Sequence, residues 1–85
     1  MGYSVKEIAG FMKVYSDLEK RINDFMFIVS SSLKDKSHAV KVSREVLVSI
    51  LEYQGLPKDL REELGREDEV LQVQKKAKDI LGKFG

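Results

Sequence analysis

Residues 4–33 read SVKEIAGFMKVYSDLEKRINDFMFIVSSSL, and the opening four decide how the rest is taken. Ser4-Val5-Lys6-Glu7 is a capping box. The Ser4 hydroxyl is placed to accept from the Glu7 backbone N–H, while the Glu7 carboxylate reaches back to the Ser4 N–H. Tyr3, one residue earlier, occupies the position that staples onto Ile8. A helix therefore begins at Val5. Beyond it Ile8, Tyr15, Ile22 and Val29 recur every seventh residue, and Phe11, Leu18 and Phe25 follow the first three by three. Met12, Met26 and Leu33 widen the stripe. Alternating steps of three and four keep apolar groups on one helical face, giving a coiled-coil-like seam. The pattern predicts a helix from Val5 to Leu33, ended by Lys34-Asp35-Lys36-Ser37. A break at Asn23-Asp24 or Ser30-Ser31-Ser32 is the competing expectation, because these side chains compete for backbone hydrogen bonds.

The next segment supports two readings. Val40, Val42, Val46, Val48 and Ile50 fall at even spacing, as in a half-buried strand. Val46, Leu47, Ile50, Leu51 and Gln54 instead follow helical spacing, and Ser43 is a residue type that caps. The expectation is a helix from Ser43 to Gln54, with residues 38–42 either a short strand or an early turn of that helix. Gly55 is expected to close it as a left-handed residue, with Leu56-Pro57 following. Pro57 suits the start of a two-turn helix over Lys58–Leu64, which Gly65 ends. A last helix is expected from Glu67 to Leu81, closed by Gly82. Its acidic start (Glu67, Asp68, Glu69) and later Lys75, Lys76 and Lys78 match the helix dipole. Val70, Val73, Ala77, Ile80 and Phe84 form its apolar stripe. The predicted fold is all-α: a small bundle of three to four helices with a long first helix, plus the strand option at 38–42. Residues 1–85 form one helical domain in this reading.

Length then becomes an argument. Twenty-nine residues from Val5 to Leu33 would span about 43 Å at 1.5 Å per residue. A globule of this chain length is only about 30 Å across. Either the helix breaks or it overhangs and associates. The chain has 85 residues and no cysteine, so disulfides cannot supplement a small core. A second chain is the most available supplement, and a two-fold homodimer is its simplest closed form. The expected self-association residues are Ile8, Phe11, Tyr15, Leu18, Ile22, Phe25, Met26 and Val29.

Charge and motifs narrow the function classes. The net charge is +1 with 34% charged residues, without the basic excess of a dedicated nucleic-acid binder. One proline, few amides and abundant Lys and Glu match thermophile usage. The longest apolar run, Phe25 to Val29, is far short of the roughly 20 residues of a membrane span. Lys6 and Glu7 interrupt any secretory signal, and Lys6 occupies the Ser/Thr position of a myristoylation motif. A cytoplasmic setting is expected. His38, the only histidine, has no orienting partner in the sequence. The serines at 30–32 lack a nucleophile-elbow frame. The acidic run from Asp59 to Glu69 lacks EF-hand spacing, and no phosphate-binding glycine loop occurs. No catalytic residue, cofactor site or metal site is predicted, and no small-molecule substrate.

The leading reading is a non-enzymatic protein-interaction module, adaptor or regulator, that self-associates through its first helix. The alternative is a small dimeric DNA- or RNA-binding regulator. It would contact phosphates through Lys34, Lys36, Lys41 and Arg44, with His38 among them, and through the second basic stretch at 75–83. A helix-turn-helix with Lys58–Leu64 as reading helix is disfavoured by Asp59, Glu62 and Glu63, whose charge opposes groove entry. A ribbon-helix-helix reading with 38–42 as dimer strand is strained by the helix that follows Pro57.

Overall fold

Four helices follow one another in the computed structural model, which describes residues 2–31 and 35–84. They are α1 (Val5–Ser30), α2 (Lys36–Gln54), α3 (Lys58–Leu64) and α4 (Glu67–Phe84). The described residues contain no strand. The capping box forms as the sequence predicts: Glu7 N–H donates to Ser4 Oγ at 3.1 Å, and Ser4 N–H donates to Glu7 Oε1 at 3.0 Å. α1 then runs unbroken through Asn23-Asp24 to Ser30. The expected continuation to Leu33 is overturned at Ser31, the C-cap, as the competing expectation of a break in the serine run had it. There the Ser30 hydroxyl donates to the carbonyls of Met26 and Phe27, and the Ser31 hydroxyl to that of Ile28. Residues 32–34 lie outside the described residues.

The strand option at 38–42 is overturned, and so is the helix start at Ser43. Asp35 is the cap of α2, its carboxylate accepting the His38 backbone N–H at 3.1 Å. The evenly spaced valines divide between faces because the backbone is helical. Val42, Val46 and Ile50 are buried, whereas Val40 and Val48 are not. Ser43 is a buried mid-helix residue whose Oγ has no hydrogen-bond partner.

Two of the three expected glycine stops also differ. Gly55 has φ −80°, a right-handed conformation, and the turn closes through Gly55 N–H to Glu52 O and Leu56 N–H to Tyr53 O. Gly82 lies within α4, which continues to Phe84 because that aromatic packs against the core. Only Gly65 behaves as foreseen: its φ of 65° ends α3 in the left-handed region that glycine enters without a Cβ clash. Pro57 is the residue before α3 rather than its first helical position.

The core is built where three helices meet. Leu18, Ile22 and Phe25 of α1 face Val46, Ile50 and Tyr53 of α2 and Val70, Val73 and Ala77 of α4. Each of the large side chains contributes about 1.5–3 kcal/mol by leaving water. α1 and α2 are antiparallel, since Asp17 shares a crevice with Glu52 while Phe27 shares one with His38. Arg21 bonds Glu45 across them at 3.3 Å. α4 returns antiparallel to α2: the Lys36 ammonium lies 5.4 Å from the Phe84 ring, and the Tyr53 hydroxyl lies 3.5 Å from Glu67. Arg61 clasps this corner, donating to Leu56 O and Glu67 Oε1, both at 3.1 Å. Burial and the neighbouring Glu67 carboxylate push the Tyr53 phenol above its ordinary pKa.

The 26 residues of α1 span about 39 Å, and the molecule measures 47 × 20 × 19 Å. Its radius of gyration is 14.0 Å, against about 12 Å for a globule of this length. The length mismatch read from sequence is thus met by an elongated body. α2 and α4 cover the C-terminal half of α1, and only the seven-residue α3 approaches its start.

Candidate interaction surfaces

The start of α1 and the short α3 form the first open surface. Tyr3 bridges them, its hydroxyl donating to Asp59 at 2.9 Å while its ring meets Phe11 edge to face at 5.2 Å. Donation to that carboxylate raises the Tyr3 pKa, and the hydrogen bond from the Ser4 backbone lowers that of Glu7. Below this bridge lies a groove of about 350 Å³ walled by Phe11, Tyr15, Leu60 and Leu64, with Asp59 and Glu63 on its rim. Ile8 and Met12 border it, and Val5 continues their edge along the helix. Val5 is 86% exposed and Met12 66%. The groove ends at Arg66, which bonds Glu19 at 2.7 Å and stacks over Tyr15 with 5.7 Å to the ring centre. Bonding to Glu69 is the main reason its guanidinium pKa is raised.

The eight expected self-association residues therefore separate. Leu18, Ile22 and Phe25 are buried in the chain's own core. Phe11, Tyr15 and Val29 are half-buried against it, while Ile8 and Met26 are exposed. Only Ile8, Phe11 and Tyr15 share the groove. Val5, Met12, Leu60 and Leu64 complete that surface and were not among the expected residues. The heptad stripe was visible in sequence, but its division between core and open groove depends on where α4 stops covering α1.

The second open surface is the outer side of the α2–α4 pair. Val40, Leu47 and Leu51 recur at seven and four residues along α2, on the flank away from α1. The antiparallel register fixed at Phe84 and Glu67 brings Val40 alongside Leu81 and Leu51 alongside Leu71. Leu51 is 65% exposed and Leu71 54%.

The residues expected to contact phosphates do not stay together. Lys34 lies outside the described residues. Lys36 and Arg44 line one crevice beside Val40 and Phe84, on the α2–α4 side, and Arg44 also borders the α1–α2 crevice with Asp17, Glu45 and Glu52. Lys41 and His38 line another with Asp24, Phe27 and Glu45, on the α1–α2 side. The later stretch divides as well: Lys75 and Lys78 flank Leu71 on the outer face of α4 by helical spacing, whereas Lys76 sits beside Ile22 and Met26 on the α1 side.

Among the described residues no group of three or more His, Asp or Glu side chains is placed to hold a metal ion. None of the described helices is long and apolar enough to cross a membrane. No family model matches the chain, and neither a curated protein nor a solved structure is similar to it.

Proposed function

We propose that this chain is a non-enzymatic helical interaction module that works in the cytoplasm and self-associates through the N-terminal half of α1. One observation carries the reading: Val5, Ile8 and Met12 form an uncovered apolar edge beside a groove walled by Phe11, Tyr15, Leu60 and Leu64. Apolar surface of this kind gains free energy when a second surface displaces its water. Ridge and groove side by side on one molecule are what a two-fold pairing uses, each ridge entering the other groove. Lys6 and Lys13 flank the edge, and Asp59 and Glu63 rim the groove. Pairing thus sets opposite charges around an apolar centre, which favours one register over others.

Sedimentation equilibrium tests this. A monomer–dimer equilibrium is expected at tens of micromolar, where interfaces of modest area associate. Met12→Glu is expected to shift it to monomer while the helical circular dichroism is unchanged. A wild-type chain that stays monomeric throughout that range contradicts the proposal.

The competing reading, a dimeric DNA- or RNA-binding regulator, draws support from Lys36, Arg44, Lys75 and Lys78 falling on one side of the molecule. It is weakened by Lys41 on another side and by carboxylates on three of seven α3 positions. Its test is a mobility shift at about 50 mM salt, where counterion release favours binding.

A further inference from the structure

We infer that the outer face of the α2–α4 pair is a docking site for an acidic amphipathic helix of a partner protein. Leu47, Leu51 and Leu71 supply an apolar seam there, with Val40 and Leu81 continuing it. Around that seam stand Lys36 and Arg44 from α2 and Lys75 and Lys78 from α4, all exposed. None of the four pairs with a carboxylate among the described residues, whereas Arg21, Arg61 and Arg66 are each matched to a glutamate elsewhere. Each of Lys36, Arg44 and Lys78 has a carboxylate next to it in sequence (Asp35, Glu45 and Asp79) that the helix turns about 100° away. Arg44 also borders the α1–α2 crevice that holds Asp17, Glu45 and Glu52. Lys36, Lys75 and Lys78, with Arg44 at the edge, thus leave this face with unpaired positive charge in a chain whose net charge is only +1.

The chemistry of the occupant follows from leucine and cation occurring together. Phosphate backbones are held by Lys and Arg and make no use of exposed leucines. An α-helix with its own apolar stripe buries Leu51 and Leu71, and carboxylates on its flanks meet the four cations. The seam runs from Val40 to Leu51 along α2, about 17 Å at 1.5 Å per residue, so about three turns of a partner helix cover it. The acidic α3 of a second copy does not qualify, because its seven residues span only about 10 Å and its Leu60 and Leu64 face the α1–α3 groove. This site is separate from the α1–α3 groove, so a monomeric variant retains it.

The test is a selection from a displayed library of randomised helical peptides about 18 residues long, enough to cover the seam and the cations at its ends. Selected peptides are then titrated against the wild-type chain, Leu51→Asp, Arg44→Glu with Lys78→Glu, and Met12→Glu. The expected consensus has Leu or Ile at steps of three and four with Asp or Glu on both flanks. Its affinity is expected to fall at least tenfold, about 1.4 kcal/mol, in Leu51→Asp and in the double charge reversal, and to be unchanged in Met12→Glu. Equal unfolding midpoints keep these exposed-site variants comparable with the wild type. A consensus lacking acidic residues, or binding indifferent to Leu51→Asp, overturns the proposal. So does displacement of the selected peptide by duplex DNA that binds more tightly, which assigns the face to nucleic acid.

Discussion

The Tyr3 hydroxyl donates to Asp59 at 2.9 Å, joining residues 56 positions apart in the chain. This bond holds α3 beside the start of α1 and shapes the groove between them. Replacing Tyr3 with Phe keeps the ring contact with Phe11 and removes the bond. Donation to Asp59 raises the Tyr3 pKa in the folded state. A raised folded pKa means the contribution is fully present below the unfolded value, about 10 for tyrosine, and is lost as pH rises through the folded one. Tyr3→Phe is accordingly expected to unfold at a lower temperature than the wild type at pH 7. The gap is expected to close at strongly alkaline pH, as read by circular dichroism melts.

Ser43 predicts a stabilising substitution. Its hydroxyl is buried without a partner in the middle of α2, and an unpaired buried hydroxyl costs free energy that alanine avoids. Alanine also has the higher helix propensity. Ser43→Ala is expected to raise stability by roughly 1 kcal/mol, about 4–8 °C in Tm for a chain of this size. Denaturant titration checks it through a higher midpoint at unchanged slope.

At Gly65 the direction reverses. A φ of 65° brings a Cβ close to the backbone carbonyl, so Gly65→Ala is expected to destabilise by about 1–2 kcal/mol. Gly65→Asn is expected to cost less, since asparagine enters this region more readily. The two variants compared in one thermal series separate backbone strain from mere loss of a glycine, because nothing lies within 4 Å of the added Cβ.

The helices were legible in sequence wherever local chemistry alone sets them. Ser4 and Glu7 need only each other, so the start of α1 was readable, as were Gly65 and the start of α4 at Glu67. Sequence pattern alone misplaces the start of α2, because one local and one tertiary fact decide it. Asp35 caps earlier, and the core accepts Val42, Val46 and Ile50 while rejecting Val40 and Val48. Even spacing over so few residues does not separate those outcomes. Gly55 and Gly82 mark a related failure: glycine permits a left-handed stop without requiring one, and Phe84 draws α4 onward into the core. The candidate surfaces were only half visible. The heptad spacing marks the α1 stripe as one face, but α2 and α4 cover it from Leu18 onward and leave Ile8 and Met12 uncovered. Helical spacing groups Leu47 and Leu51 with Val46 and Ile50, although the helix turns the two pairs to different sides.

A chain without cysteine permits one direct test of the paired-α1 claim, because a single introduced thiol can form a disulfide only between chains. Val5→Cys, Ile8→Cys and Met12→Cys are oxidised separately, with Lys20→Cys, exposed beyond the groove, as control, and examined by non-reducing electrophoresis. A covalent dimer is expected from at least one of the three edge positions and not from the control. Cross-linking at none of the edge positions, or equally at Lys20, contradicts pairing through the N-terminal half of α1.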